Sequence, residues 1–252
     1  MTPPSGVRAS DTRDALGRVT GLSHGPVGGA PLASYAYTLG PAGHRLSVTE
    51  LSGRQASYGY DAAHRLVSEG VSADPGGQNG SVGYTLDPVA NRLTRTSSLP
   101  PIAASSYAYD ANDRLLGDGY DTNGNTTTLD GATCAYDYEN RMTGITYPDS
   151  STASFAYDAA GHRVSKTEGG ALTRFLYDGQ RVQAEYDTSW SLQAKYTLGG
   201  DSYYAPALSM RRGSATSYCM LDALGSVRKL TDASQAATDS YSYEAFGGIV
   251  AS

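Results

Sequence analysis

Aromatic residues recur along the chain in pairs whose two members are separated by one residue. The pairs are Tyr35/Tyr37, Tyr58/Tyr60, Tyr107/Tyr109, Phe155/Tyr157, Phe175/Tyr177 and Tyr241/Tyr243, and the residue between them is small in every pair except the one around Leu176. Successive side chains of a β-strand point to opposite faces. Each pair therefore predicts a strand with two rings on one face and a nearly bare opposite face.

A turn and a second strand are predicted after most of the pairs. An aspartate follows the second ring, and an arginine with an aliphatic residue comes three to five residues later, as Asp61 and Arg65 illustrate. Aspartate can cap a turn by accepting backbone N–H bonds, and a glycine such as Gly161 can adopt a positive φ there. Alternating, β-branched segments then favour a returning strand at 45–49, 92–96 and 163–167. Each unit is thus predicted to be a β-hairpin with an Asp61–Arg65 type of ion pair across its turn.

The hairpin motif repeats along the chain at a spacing that predicts the fold class. Its arginines are Arg18, Arg45, Arg65, Arg92, Arg114, Arg141, Arg163 and Arg181, and the gaps alternate between 27 and 20 to 22 residues before a last gap of 18. Such a period is typical of repeat architectures, in which neighbouring units stabilise one another. We predict an all-β fold of repetitive antiparallel β-hairpins that form a curved or spiralling single sheet, with the tyrosines of each unit stacked on those of the next. Segments 73–81 and 97–104, rich in Gly, Pro and Ser, are predicted to be longer connections.

Three regions are expected along the chain. Residues 1–13 are predicted to be poorly ordered, residues 14–200 to form the repeat sheet, and residues 201–252 to form a distinct C-terminal segment. The residues predicted to build the repeat are Tyr58, Tyr60, Asp61, Arg65, Tyr107, Tyr109, Asp110, Arg114, Tyr136, Asp137, Arg141, Tyr157, Asp158, Gly161, Arg163, Tyr177, Asp178 and Arg181.

Composition indicates a sheet whose aromatic face stays partly wet. The 252 residues include 30 Gly and 20 Tyr but only 3 Phe and 1 Trp, and 17% are charged. A phenol ring packs as an apolar body, yet its hydroxyl needs water or a partner. We therefore expect the aromatic ladder to lie without a covering layer rather than to enclose a dry core. The net charge of −6 argues against general nucleic-acid binding, because no basic surface is available.

The remaining composition gives few functional signals. Cys134 and Cys219 lack metal-ligand spacing, and they are either a disulfide pair or two isolated buried thiols, the second interpretation being favoured. Residues 1–13 lack the apolar run of a signal peptide. No stretch of 18 apolar residues occurs, so no membrane span is predicted.

Candidate catalytic groups are better explained as turn residues. His44, His64 and His162 stand directly before repeat arginines, where Asn91, Asp113 and Asn140 also occur, so we interpret the position as a turn former. A glycosidase needs two carboxylates in unlike environments, whereas these aspartates recur once per repeat. Ser226 lacks the glycines of a nucleophile elbow. We predict no catalytic, cofactor-binding or metal-binding residue.

The repeat resembles the YD repeat of the Rhs family, which is also found in teneurins and in the C component of Tc insecticidal toxins. About nine units from Asp14 onward carry the phrase Tyr-x-Tyr-Asp-x-x-Gly-x-Arg-Leu. The C-terminal segment is similar to the Rhs-associated core motif through Leu224, Gly225, Ser226, Val227, Arg228, Asp232, Tyr243, Phe246 and Gly247. Ala223 stands where that family usually has His, and Glu244-Ala245 replaces its usual Asp-Pro.

The resemblance implies part of a β-shell that encloses a variable C-terminal toxin. Self-cleavage in that family lies around an Asp-Pro-x-Gly-Leu motif, which this sequence does not contain, so the activity is not carried over. The expected function is a non-enzymatic encapsulation segment of an Rhs-type polymorphic toxin, and the alternative is a cell-surface adhesion or carbohydrate-binding module. Expected partners are a polypeptide cargo or a further Rhs-repeat chain, glycans under the alternative, or a second copy paired through open sheet edges. The expected location is secreted or at the cell surface, without an N-terminal signal peptide.

Overall fold

The structure, a computed structural model, describes residues 6–199 and 206–252. Within these residues the chain forms 24 strands and no helix. The long hairpin meander expected from the aromatic pairs is confirmed, since each strand pairs antiparallel with the next one in the series described below. None of the described residues belongs to a helix that is long and apolar enough to span a membrane.

The chain divides into two compact units, one formed by residues 1–108 with 217–252 and the other by residues 109–216. The first unit begins with nine strands that pair in chain order: β1 (Val7–Arg13), β2 (Val19–Pro26), β3 (Ala33–Leu39), β4 (Arg45–Glu50), β5 (Gln55–Tyr60), β6 (Leu66–Ser72), β7 (Gly80–Leu86), β8 (Arg92–Ser97) and β9 (Ser105–Ser106). Its later strands are β20 (Ala215–Leu221), β21 (Val227–Thr231) and β22 (Ala237–Ser240), which pair in that order, and the pair β23 (Ser242–Tyr243) and β24 (Ile249–Ala251).

The second unit contains ten strands that also pair in chain order. They are β10 (Gly119–Tyr120), β11 (Thr126–Leu129), β12 (Ala132–Tyr136), β13 (Met142–Thr146), β14 (Thr152–Tyr157), β15 (Arg163–Glu168), β16 (Ala171–Asp178), β17 (Arg181–Tyr186), β18 (Leu192–Leu198) and β19 (Ala207–Arg212).

The alternation of large and small residues places the rings on one face, as predicted. In β3, Ala33, Tyr35 and Tyr37 are buried, while Ala36 between them is exposed. The two longer connections also lie where the sequence predicted them, at 73–79 and 98–104. The hydrophobic pattern therefore determines both the faces and the main loops.

The first unit contains a buried core, contrary to our expectation of an uncovered ladder. Tyr35, Tyr37 and Tyr84 are at most 7% exposed and pack in one cluster with Met220 and Val250 from the C-terminal segment. These rings lose their water because residues more than 130 positions later in the chain cover them. The wet aromatic face that composition predicted is thus wrong for this part of the chain.

The second unit is closer to the sequence-based expectation. Its buried hydrophobic residues among those described are Ala153, Ala184 and Ala194, and the rings of Phe155 and Tyr157 remain half-buried. The single sheet of this unit keeps an aromatic face that is partly in contact with solvent.

Several boundaries differ from the prediction. Val7–Arg13 forms β1 and pairs along its whole length with β2, so backbone pairing orders a segment that we expected to be poorly ordered; residues 1–5 lie outside the described residues. Tyr107–Tyr109 forms no strand, and Tyr109 makes only an isolated bridge to Leu115. The pairing of the first sheet ends at β9, so the chain does not form one uninterrupted sheet. The compact units also do not follow the predicted boundary at residue 200, and residues 201–205 of the predicted C-terminal segment lie outside the described residues.

Both cysteines are free and half-buried. Of the two interpretations offered by the sequence, the structure therefore supports isolated thiols. Burial raises the pKa of the Cys219 thiol, which keeps it in its protonated, less reactive form.

Candidate functional site

The turn that begins at Asp61 shows how each repeat is built. Asp61 Oδ1 accepts the backbone N–H bonds of Ala63 and Arg65 at 2.9 Å each, and Oδ2 accepts Arg65 Nε–H at 2.7 Å. The backbone adds two bonds, since Asp61 N–H donates to Arg65 O and His64 N–H donates to Asp61 O. One carboxylate thus holds the whole turn, and the ion pair predicted from the sequence is confirmed.

The same arrangement recurs in both units. The matching carboxylate–guanidinium pairs are Asp14–Arg18 at 2.6 Å, Asp110–Arg114 at 2.7 Å and Asp137–Arg141 at 2.7 Å. The backbone N–H of Arg65 and its side chain lower the pKa of Asp61, and the equivalent bonds of Arg141 lower the pKa of Asp137, while burial opposes both shifts. The lowered pKa values keep Asp61 and Asp137 ionised within their turns.

Each turn is also tied to the turns on either side of it. Arg65 Nη1–H donates to Asp87 O at 2.7 Å in the next turn, and Tyr60 Oη–H donates to Arg45 O at 2.8 Å at the end of the preceding turn. The forward bond recurs from Arg18 to Gly40 O and from Arg141 to Asp158 O. The backward bond recurs as Tyr136 to Thr126 O, Tyr157 to Met142 O, Tyr177 to Arg163 O and Tyr243 to Val227 O. Tyrosine and arginine therefore link successive turns along one sheet edge.

The prediction that the tyrosines of one hairpin repeat stack on those of the next repeat is wrong. Tyr35 and Tyr37 stack within one strand, with ring centres 6.4 Å apart, and none of the other ring contacts resolved in the described residues joins two tyrosines. Guanidinium groups cover the rings instead. Arg141 lies 5.1 Å from the centre of Tyr157, and Arg163 lies between Phe155 and Phe175 at 5.3 and 5.4 Å. Neighbouring strands are joined by cation–π contacts and hydroxyl bonds.

The histidines occupy two different turn positions rather than one. His64 has a φ of +60° and stands third after Asp61, as Asn140 does after Asp137. His162 stands fourth after Asp158, and its Nδ1 lies 3.1 Å from Asp158 Oδ2, where Arg65 would be in the other type of turn. His44 shares this fourth position, because it follows Gly43, whose φ is +90°. If the repeats are aligned on their arginines alone, the third and the fourth position of the turn fall into the same column.

Two further predicted repeat residues differ from the pattern. Asp178 and Arg181 face each other directly across a two-residue hairpin in which Gly179 has a φ of +58°. They therefore close a hairpin and do not form the longer capped turn. In the copy that begins at Tyr107, the Asp110–Arg114 turn is present although the flanking strand is not.

The C-terminal motif packs on the first sheet through Arg228. Its guanidinium lies 2.7 Å from Glu50 Oε1 and 3.4 Å from Asp222 Oδ2, and it stands over the ring of Tyr35 at 5.4 Å. Burial lowers the pKa of Arg228, but the charge and hydrogen bond of Glu50 outweigh this effect and raise the pKa overall. Glu50 also accepts a 2.7 Å bond from Arg54, whose side chain is 4% exposed.

The other residues of the C-terminal motif form turns and the hydrogen bonds that hold these turns in place. Asp222 Oδ1 accepts the N–H bonds of Leu224 and Ser226, while Ala223 N–H donates to Tyr37 Oη at 3.1 Å. Gly225 and Gly247 take positive φ values of +83° and +93°. Asp232 caps its own turn through the N–H groups of Ser234 and Ala236. Ser226 is thus a turn residue, as predicted.

A second buried charge cluster holds the last two strands, which we call the terminal hairpin (242–251). Glu244 accepts a 2.7 Å bond from Tyr84 Oη–H and the N–H bonds of Phe246 and Gly248. Glu69, on β6, is 2% exposed and accepts the N–H of Ala245 at 2.7 Å. Burial raises the pKa of Glu69 to about 7; the charge of Glu244 also raises it, and the Ala245 bond and Arg54 oppose the rise.

A cavity of about 360 Å³ lies between these two clusters. Tyr37, Arg45, Tyr58, Asp222 and Glu244 are among its lining residues. The carboxylates of Asp222 and Glu244 are engaged by backbone N–H groups. In the described part of the chain, no three His, Cys, Asp or Glu residues are grouped as metal ligands. The arrangement positions and joins segments of polypeptide.

Sequence reasoning did not select Glu50, Arg54 or Glu69. The sequence does indicate that Glu69 is buried. It lies midway between Val67 and Val71, so all three side chains point to the same, inward face of the strand. A charge on such a face is buried and needs a partner. Its partner could not be identified, because Ala245 lies 176 residues away.

Comparison with known proteins places the chain among YD-repeat shells. The teneurin YD-shell family model matches residues 44–252. The tRNA3(Ser)-specific nuclease WapA of Bacillus spizizenii is 30% identical over 176 residues, and the tRNA nuclease WapA of Bacillus subtilis strain 168 is 28% identical over 176 residues. Each match covers 65% of this chain but only 7% of the relative.

Solved structures confirm the fold at low sequence identity. The crystal structure of TcdB2-TccC3-TEV matches with a TM-score of 0.78, and the Photorhabdus luminescens Tc holotoxin pore matches with 0.77. Each is 14% identical and covers 98% of this chain and 15% of the other. At this identity the likeness establishes the all-β architecture of antiparallel hairpins.

Proposed function

Because the chain belongs to the teneurin YD-shell family, we propose that it is a wall segment of a shell that holds or delivers a polypeptide toxin cargo. The observation that carries this proposal is the turn-to-turn linkage: Tyr60 reaches back to one turn and Arg65 reaches forward to the next. Such links stiffen a wall without adding reactive groups. The segment acts mechanically, by enclosing a partner chain and excluding others.

The comparisons support a replaceable cargo. The matched structures bear the names TcdB2-TccC3-Cdc42, TcdB2-TccC3-TEV and TcdB2-TccC3 without hypervariable C-terminal region. The shared part of those complexes is thus compatible with different attached polypeptides. The nuclease activity named for the WapA relatives belongs to proteins of which this chain matches 7%, and we do not assign it to this segment. A cargo-delivering shell acts on other cells, so a secreted or cell-surface location follows from the proposal.

Limited proteolysis of the full protein that contains this segment tests the proposal. A cargo within the shell should resist a non-specific protease, whereas the same cargo expressed alone should be digested rapidly. Arg228→Ala, which breaks the contact with Glu50, should shorten the survival of the enclosed cargo. Equal digestion rates for the enclosed and the free polypeptide would refute containment.

A surface-binding module remains the second candidate, and one observation favours it. Phe155, Arg163 and Phe175 form a half-exposed aromatic and cationic row on the second unit. Exposed rings can stack on sugars. Binding on a glycan array that is lost in Phe155→Ser, in a protein without an enclosed polypeptide, would support this function over containment.

A further inference from the structure

Two buried carboxylates hold the terminal hairpin at adjacent backbone positions. Glu69 reaches from β6 to the N–H of Ala245, and Glu244 binds the next N–H, that of Phe246, as well as the hydroxyl of Tyr84 on β7. Phe246 completes the contact by packing edge-on to Tyr84 at 4.9 Å between ring centres. The hairpin is thus fixed to the sheet by two acids that approach the same turn.

The bond to Glu69 depends on the residue type at position 245. Ala245 supplies a backbone N–H, which a proline there would lack. The long side chain of Glu244 extends beyond its own turn to Tyr84. Both residues are therefore needed for the docking contact.

The surroundings of Glu69 favour its neutral form. Oε1 of Glu69 is buried and has no hydrogen-bond partner among the described residues. The charged or titratable groups that face it are Glu244 from the hairpin, Arg54 from the β4–β5 turn, Tyr58 from β5 and Tyr84 from β7. Arg54 pairs with Glu50 at 2.7 Å and lies 3.5 Å from Asp74, while its Nε and Nη2 have no hydrogen-bond partner among the described residues. The charge of Glu244 has the same sign as that of ionised Glu69 and raises its pKa. A buried carboxylate under these conditions retains its proton.

We propose that Glu69 and Glu244 form a proton-dependent latch that docks the terminal hairpin on β6 and β7. Docking takes up a proton from solvent onto Glu69, and undocking releases it. The latch does not depend on the proposed containment function, since all its parts lie in the first unit.

The direction of the pH effect follows from linkage. The pKa of Glu69 is about 7 in the docked hairpin, above the ordinary glutamate value of 4.5, so docking is strongest below pH 4.5 and weakens as the pH rises through 7. One pKa unit is a factor of ten in the equilibrium, and the docking equilibrium should fall roughly 70-fold between pH 5 and pH 8. The turn aspartates titrate below this window, because their pKa values are lowered.

Carbon NMR of the Glu69 carboxyl group in the unmodified chain gives the first test. We expect it to titrate near pH 7, and titration near the ordinary value for glutamate would overturn the proposal. This measurement needs no variant, so it stands even if a substitution impairs folding.

Amide hydrogen exchange at Ala245 and Phe246 gives the second test. Protection should fall between pH 5 and pH 8 by roughly 70-fold after correction for intrinsic exchange. In Glu69→Gln the neutral amide keeps an oxygen for Ala245, so protection should no longer depend on pH. Equal pH dependence in the variant and the unmodified chain would refute the latch.

Two further variants separate the latch from a purely structural role. Glu185→Gln is the matched control, because Glu185 accepts a 2.6 Å bond from Tyr196 without a second acid at that site; it should leave the hairpin titration unchanged. Ala245→Pro removes the N–H that Glu69 accepts, so hydrogen-exchange protection at Phe246 should fall at every pH. Undiminished protection at Phe246 in Ala245→Pro would contradict the assigned contact.

Discussion

In the turn that begins at Asp61, a single aspartate performs three tasks: one oxygen binds two backbone N–H groups, the other binds a guanidinium, and the charge fixes the arginine that reaches the next turn. Asp61 and Arg65 show all of these contacts. Tyr60 adds the link to the preceding turn. Because these three residues lie within six positions, the repeat carries its own connections to both neighbours.

Tyr60→Phe tests the hydroxyl link. The variant keeps the ring but leaves the Arg45 carbonyl without its donor, so the free energy of unfolding should fall by about 0.5–1.5 kcal/mol. Urea denaturation followed by circular dichroism measures this change. Tyr138→Phe is the control, since Tyr138 is 89% exposed, and it should have no effect. Equal stability of the two variants would show that the bond to Arg45 contributes nothing.

Acid titration tests the capping carboxylates. The pKa of Asp61 and of Asp137 is lowered in the folded chain, first by the backbone N–H of the arginine. A lowered pKa gives stability above the ordinary pKa of aspartate that is lost as the pH falls through the folded value. The thermal midpoint should therefore drop steeply below about pH 4.

Variants assign this acid sensitivity to the turns. Asp61→Asn with Asp137→Asn should flatten the pH dependence, because two of the titrating caps are gone. Asp130→Asn is the control, since Asp130 lies in the short β11–β12 turn and makes no such capping contact in the described structure. If all three substitutions alter the profile equally, the caps are not responsible.

Individual strands combine large rings with small residues on one face. In β14 and β18, Ala153 and Ala194 are 3% and 0% exposed, and the half-buried Phe155 and Tyr196 lie two residues further along the same faces. Because these two alanines are almost completely buried, their positions leave little room for a larger side chain. The bare residues on the opposite face, such as Ala156, meet solvent.

Ala194→Leu tests this packing. The added atoms have no space beneath the neighbouring side chains, so the variant should lose about 1–3 kcal/mol of stability. Ala156→Leu makes the same chemical change on the exposed face of β14 and should be tolerated. Urea midpoints of the two variants give the comparison, and a greater loss for Ala156→Leu would reverse the assignment of faces.

The first unit joins distant parts of the chain into one core. His24 Nε2–H donates to Leu221 O at 2.8 Å across 197 residues, and Tyr84 bonds to Glu244 across 160. Burial lowers the pKa of His24, which keeps it neutral in this contact. The C-terminal motif therefore has a structural purpose in the first unit: it covers the aromatic face of β3 to β8.

Arg228→Ala tests this long-range assembly. Removal of the guanidinium leaves Glu50 and Asp222 with one partner fewer in a buried site, and loss of one partner of such a pair costs about 3–5 kcal/mol. Arg13→Ala is the matched control, because Arg13 pairs with Asp11 at 56% exposure, and it should cost about 0–1 kcal/mol. A calorimetric scan that shows equal losses would contradict a buried role for Arg228.

The sequence by itself determined the local structure of this protein. The two-residue aromatic period fixed which faces carry rings, and the spacing from Asp61 to Arg65 fixed the turn and its ion pair, because these interactions act over a few residues. The position of the longer loops followed from their Gly, Pro and Ser content. Alignment on arginine failed at His44 and His162, since a one-residue difference in the turn is visible only in the backbone φ angles and the side-chain partners.

Only the tertiary structure decided which faces are covered and which charges meet. Glu69 and Glu244 are separated by 175 positions, and no local pattern relates them. Tyr35 and Tyr157 belong to the same kind of strand, yet one is buried by the C-terminal segment and the other stays half-exposed. The physical reason is that burial and electrostatic pairing depend on distance in space, whereas the repeat specifies only how each hairpin joins the next.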